Sequence, residues 1–181
     1  MKLKIVKDNN PIMRKRSELV SLPLSSENKE LLDEMLLYLK RSQDEEYAKK
    51  HNIRPGVGMA AIQVGHLKRM FVIYYQKSET EYVMYQLVNP KIISSSVKKA
   101  YLKSGEGCLS VPKDMPGYVY RYFRITIKGY DVLTDQEVTL KLSGYPAIVF
   151  QHEYDHLDGV LYTDKIDKKN PFFEDPEAVG I

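Results

Sequence analysis

Cysteine occurs once in the 181 residues, at Cys108, so no disulfide can form within the chain and a reducing compartment is the expected setting. That thiol is either free or bound to something. No apolar run approaches the length that spans a bilayer, and the amino terminus, MKLKIVKDNNPIMRKR, holds no apolar stretch of signal-peptide length. A cytoplasmic protein with no membrane partner is therefore expected. Charge of one sign is also scarce, since 27 lysines and arginines face 24 aspartates and glutamates and leave only +3, spread along the chain. This balance gives no argument for nucleic acid or an anionic membrane. Internal repeats and low-complexity tracts are absent.

What is present fits a globular domain. Hydrophobic residues make up 43% and charged residues 28% of a chain long enough to bury a real core, so one domain over residues 1–181 is expected. Residues 25–50 open with serines suited to capping and place Leu32, Met35, Leu36 and Leu39 at helical intervals among charges. They predict one amphipathic helix. Branched and aromatic residues dominate 71–75, 82–93 and 96–102, which read as strands. YRYFRITIKGYDV and QEVTLKLSGY flank a polar turn, Leu133 to Asp135, and read as a hairpin. The expected class is α+β: an N-terminal amphipathic helix, and mostly antiparallel sheets wrapped around a second, metal-binding helix. The charged, Pro-containing residues 166–181 read as a loosely held tail.

That second helix lies in PAIVFQHEYDHLDG, residues 146–159, where Pro146 suits a first turn and Gly159 a stop. His152 and His156 are four apart, so on a helix both imidazoles leave one face and can share a metal ion. Glu153 then stands beside the metal, where it can handle protons on a bound water. This is an arrangement for metal-assisted hydrolysis, although two ordinary histidines on a charged helix would share the spacing.

A catalytic centre of this kind needs a third protein ligand and one open position. His51, His66 and many carboxylates are available. Cys108, in the turn-like SGEGCLSVP, is the more interesting choice, although a free cysteine is commonly a small buried hydrophobe. A thiolate and two imidazoles would hold a divalent ion tightly but leave it a mild Lewis acid, so a second group would be needed for developing oxyanion charge. Gln63, in GVGMAAIQVG, is an amide donor suited to that task. The glycines there could also suggest a dinucleotide loop, but a charged helix precedes them where a strand is required, so no dinucleotide cofactor is expected.

GVGMAAIQVG, EGCLS and QHEYDHLDG, in this order, resemble the three signature segments of the peptide deformylases, which remove the N-formyl group from newly made bacterial and organellar proteins. The third fits the family pattern HExDHLxG throughout. In the first, Met59 stands where leucine is usual and Ile62 where proline is frequent; both changes are apolar and leave Gly58 and Gln63 in place. VPKDMPGYVYRYFRITIK resembles the longer, type II forms found in bacteria of Gram-positive descent.

The resemblance implies Cys108, His152 and His156 as ligands of one divalent ion, with a water in the fourth position. Fe(II) is implied as the cellular ion, with Ni(II), Co(II) or Zn(II) as substitutes. Glu153 would act as general base on the attacking water, while Gln63 and the backbone N–H of Leu109 hold the oxyanion. Gly58, Gly107 and Leu109 should border a cleft in which an extended substrate pairs like an added strand. Val57 and Val149, with His152 and Glu153, should line a pocket for the methionine side chain. Glu106 would orient its neighbours or lie in solvent. Implied partners are N-formylmethionyl nascent peptides, with a possible transient ribosome contact, and a monomer is expected.

Two other readings fit the same residues: a different HExxH metallohydrolase, or a structural metal domain binding a ribosomal or RNA partner. An HExxH endoprotease commonly takes a third ligand downstream, and no histidine follows His156. A structural centre should be closed by four protein ligands.

Overall fold

The structure, a computed structural model, describes residues 3–181. Its main sheet is antiparallel, formed by β1 (Gly58–Ala60), β2 (Met70–Gln76), β3 (Tyr82–Ser95), β6 (Arg124–Asp131) and β7 (Gln136–Ser143), in the order β1-β2-β3-β6-β7. A smaller sheet has the order β5 (Arg121–Tyr122), β4 (Lys99–Tyr101), β8 (Val179–Gly180).

Side-chain alternation gives the main sheet two buried faces. On β2, Phe71 and Ile73 point to one core, together with Leu87, Ile125 and Ile127, and helix α3 (Tyr145–Leu157) closes that core with Ala147, Val149 and Phe150. Phe150 meets Phe71 edge to face at 5.9 Å, and truncating so buried a ring to alanine typically costs about 3–5 kcal/mol. Met70, Val72 and Val88 point the other way, where helix α1 (Ser26–Ser42) covers them with Leu32, Met35 and Leu39. Helix α3 begins after Gly144 in left-handed backbone, with Pro146 in its first turn, and ends at Asp158. Gly159 has φ 72°, and a Cβ there would meet the Arg14 carbonyl at 2.6 Å, so a side chain is excluded twice over.

The helix expected over residues 25–50 is two helices. It breaks at Gln43 and Asp44 because both side chains have better uses than continuing a helix. Asp44 accepts from the Tyr47 backbone N–H and caps α2 (Glu45–His51), while the Gln43 amide donates to the carbonyls of Gly56 and Tyr74, both at 2.8 Å. These bonds fold the chain back toward β1. The strand expected over 96–102 is confined to Lys99–Tyr101.

The segment expected as a loose tail is instead fastened along its length. Ile166 is buried, the Tyr118 N–H donates to the Pro171 carbonyl, and β8 pairs in parallel with β4. Charge and proline suggested solvent, but the strand edge of β4 and the ring of Tyr118, which Phe172 meets edge to face, supply partners that no local pattern reveals.

Candidate active site

Three segments distant in sequence converge on one cleft. Gly58–Ala60 pairs with β2, and residues 61–64 then turn in a 3-10 helix that ends at Gly65 in left-handed backbone. This turn folds the Gln63 side chain back: its Oε1 accepts from the Ala60 N–H at 2.8 Å, and its Nε2 donates to Ser110 Oγ at 3.2 Å and lies 3.4 Å from Cys108 Sγ. The amide is thus oriented before any ligand arrives. Cys108 sits in a turn closed by Val111 N–H to Cys108 carbonyl at 3.1 Å. The amino-terminal segment pins this turn, with Lys7 Nζ donating to the Leu109 carbonyl and the Asp8 N–H to the Ser110 carbonyl.

Helix α3 brings His152 and His156 to the same point. Cys108 Sγ and one nitrogen of each imidazole lie within 4.8 Å of one another, and Sγ is 3.3 Å from His156 Nε2. A tetrahedral ion with metal–sulfur and metal–nitrogen bonds of about 2.3 and 2.0 Å needs ligands at about this spacing. His152 donates from Nδ1 to Glu106 Oε2 at 2.7 Å, which fixes its tautomer and leaves Nε2 for the cluster. The donor set therefore fits a divalent ion. Among the described residues this is the group of His, Cys, Asp and Glu that could hold one; His51 and His66 lie outside it.

Glu106 is buried, not solvated. Arg121 grips it through Nε at 2.6 Å and Nη2 at 2.9 Å, and reaches Asp155 through Nη1 at 2.8 Å. Burial alone would raise the Glu106 pKa, but the Arg121 charge and hydrogen bonds, with His152, overcome it and hold the carboxyl at about 2. Burial likewise opposes charge on His152, yet contacts with Cys108 and Glu106 prevail and raise it well above the ordinary histidine value. His156 moves well below that value, through burial and the neighbouring His152. Glu153 is buried and pushed up to about 7 by that burial, with the His152 and Arg121 charges opposing. A carboxyl at that value exchanges protons readily near neutral pH.

The cleft holds about 370 Å³, and all five residues expected to contact substrate line it: Val57, Gly58, Gly107, Leu109 and Val149. Arg54, Leu102 and Tyr145 also line it and were not anticipated. Ser110, Lys7 and Arg121 were missed as well. Of these, Arg121 alone had a signal, a cation inside an aromatic strand-like run.

Three convergent donors, a buried carboxyl and a pre-oriented amide at a cleft define a metal-dependent hydrolase. Comparison with known proteins narrows this class. The sequence profile of the polypeptide deformylase family matches residues 2–172. A peptide deformylase of Macrococcus caseolyticus is 51% identical over 178 residues, covering 98% of this chain and 96% of that one. Peptide deformylase 2 of Bacillus subtilis is 48% identical over 177 residues, covering 98% and 96%. The crystal structure of the Thermotoga maritima peptide deformylase matches with TM-score 0.71 and 31% identity, over 92% of this chain and 99% of that one. That of a probable peptide deformylase from a Synechococcus phage gives 0.74 and 34%, over 91% and 100%. The chain belongs to the peptide deformylase family, enzymes that remove the N-formyl group from newly synthesised proteins.

Proposed function

We propose that residues 1–181 form one deformylase domain in which Cys108, His152 and His156 hold the metal and Glu153 moves the protons. The observation that carries this reading is the placement of Glu153, buried beside a thiol and two imidazole donors that lie within 4.8 Å of one another. When bound, the ion would supply Lewis-acid charge that polarises the formyl carbonyl and makes water a better nucleophile. Fe(II) is the cellular ion in this reading, and the thiolate and imidazole donors also accept Ni(II), Co(II) or Zn(II).

Glu153 accepts a proton from the attacking water and returns it to the departing amine of methionine, giving formate and a free amino terminus. Gln63 is already oriented by Ala60 and Ser110, and its Nε2 turns to the oxygen on which charge develops, joined by the Leu109 backbone N–H. Val57 and Val149 pack the methionine side chain. Gly58, Gly107 and Leu109 offer backbone to an extended peptide. No helix among the described residues is long and apolar enough to cross a membrane. The protein in this reading is a cytoplasmic monomer that meets its N-formylmethionyl substrates in transient contact with the ribosome. Three protein donors leave one coordination position for chemistry, which favours a hydrolase over a closed structural centre.

The test is formate release from formyl-Met-Ala-Ser by protein purified without oxygen and reconstituted with Fe(II) or Ni(II). Fast release by the parent, and none by a Glu153→Ala protein that keeps its metal, is expected. No release from fully loaded parent would overturn the reading.

A further inference from the structure

The near neutrality of the whole chain conceals a local excess. Helix α1 covers the main-sheet face presented by Met70, Val72 and Val88, but not its continuation along β3, β6 and β7. On this open part the register sets Lys91 opposite Lys128, Ser94 opposite Thr126, Thr126 opposite Lys141, and Arg124 opposite Ser143. Residues directly opposite share a face, so these side chains form one stripe. Lys91, Arg124, Lys128 and Lys141 are all exposed, and among the described residues none makes an ion pair. Like charges directly opposite weaken a sheet, so the Lys91 and Lys128 pairing brings no benefit to the isolated fold.

The stripe also has a shape. A shallow groove opens at its outer end, lined by Ser94, Thr126 and Ser143 between Arg124 and Lys141, with no carboxylate in its lining, and Lys91 and Lys128 continue the stripe beyond it. Successive rows on β6, at 124, 126 and 128, lie about 6.8 Å apart, so cations and hydroxyls recur as a repeating anion would require. Lys, Arg, Ser and Thr are the side chains that meet phosphate oxygens. The cationic stretch ends at the next row, where Tyr130 bonds Asp135 through its hydroxyl and stands opposite Glu137, so the stripe is bounded by carboxylates on its inner side.

We propose that this face binds the sugar-phosphate backbone of RNA, without regard to sequence. Charge complementarity and the hydroxyl lining, which suits ribose 2′-hydroxyls, carry the argument. The choice of RNA rests on the proposed function, whose substrates emerge from an RNA-rich machine. Binding here would hold the enzyme near its source of substrate and leave its catalytic groups unengaged.

The experiment uses Ni(II)-reconstituted full-length protein and a labelled RNA duplex of about 16–20 base pairs, a length that spans successive grooves. Fluorescence anisotropy between about 50 and 200 mM salt should show affinity falling with a log–log slope of about −3.6, the value for four phosphate contacts. A Lys91→Gln/Lys128→Gln/Lys141→Gln variant should bind at least about tenfold more weakly with a slope near −0.9, and should release formate at the parental rate. A Lys29→Gln/Lys49→Gln/Lys50→Gln variant, with the same change in net charge, should bind as the parent does. No binding by the parent, equal loss in both variants, or capture by anionic phospholipid vesicles but not RNA would each overturn the proposal. The assay uses no formylated substrate, so its failure leaves the deformylase reading intact, and loss of formate release with RNA binding retained would separate the two in the other direction.

Discussion

Gly58 leaves the space that the Glu153 carboxyl occupies: a Cβ built at position 58 would stand 2.3 Å from Glu153 Oε1 and 2.6 Å from its Cδ. Backbone of strand β1 and the Glu153 carboxyl are in direct contact. Gly58→Ala should therefore push the carboxyl aside while its partner in the sheet, Ile73, keeps the strand paired. Displacement of a catalytic group by about 1 Å typically costs about 100-fold in rate. We expect kcat to fall by about that much, with metal content unchanged, in formate-release assays beside elemental analysis. A variant that turns over like the parent would show that Glu153 does not act from this position.

The contact of Arg121 with Glu106 makes a second expectation. Arg121→Met removes the bidentate partner of a buried carboxylate and should destabilise the protein by about 3–5 kcal/mol, read by urea denaturation. Glu106→Gln should instead act on the metal site, since it weakens the acceptor for His152 Nδ1; affinity for the ion should fall about 10- to 100-fold. The double variant should be more stable than Arg121→Met alone, because it no longer buries an uncompensated charge. Additive losses in the cycle would show that the two side chains are not coupled.

These pairs show what the linear chain discloses and what it withholds. The helix carrying His152, Glu153 and His156 was legible because its signals are local: a proline, an apolar run, a four-residue spacing and a glycine stop lie within residues 146–159. The α1 stripe was equally legible, but the break at Gln43 was not, because its cause is the carbonyl of Tyr74, 31 residues away. Cys108 came forward from its turn-like segment as one candidate among several, and the order of three motifs singled it out. Nothing local announces that Arg121 clamps Glu106, or that Lys91 faces Lys128. Such contacts are created by register, and register follows from the assembled sheet.

The docked carboxyl terminus yields a third expectation. Ile181 N–H donates to the Tyr101 carbonyl and Lys103 N–H to the Ile181 carbonyl, both at 2.9 Å. Deleting residues 179–181 loses these two bonds together with the parallel pairing of β8 on β4, each bond being worth about 0.5–1.5 kcal/mol net. For a chain of this size that loss should lower the melting temperature by several degrees, at about 2–4 °C per kcal/mol. Activity at low temperature should persist, since no cleft residue is removed. An unchanged melting temperature would mean that the segment is held by Pro171 and Ile166 alone.

Tyr75 governs a fourth expectation, at alkaline pH. Its ring is buried against Tyr145 at 5.7 Å, and burial first, then Tyr145 and Tyr85, push its pKa up from 10.0 to about 12. The folded protein therefore keeps a proton that the unfolded chain releases between these values. Stability from the neutral phenol is complete below pH 10 and is lost as pH rises toward 12, since the native state then binds more protons than the unfolded state. Tyr75→Phe cannot ionise, so its unfolding free energy should decline less steeply with pH than the parent's over that interval. The decline should not vanish, because Tyr85 and Tyr145 are raised in the same direction. Comparing slopes rather than absolute stabilities cancels the hydroxyl's own contribution to packing. Urea unfolding of both proteins from pH 9 to 11 measures it, and parallel curves would mean that Tyr75 ionises as freely in the folded protein as in the unfolded chain.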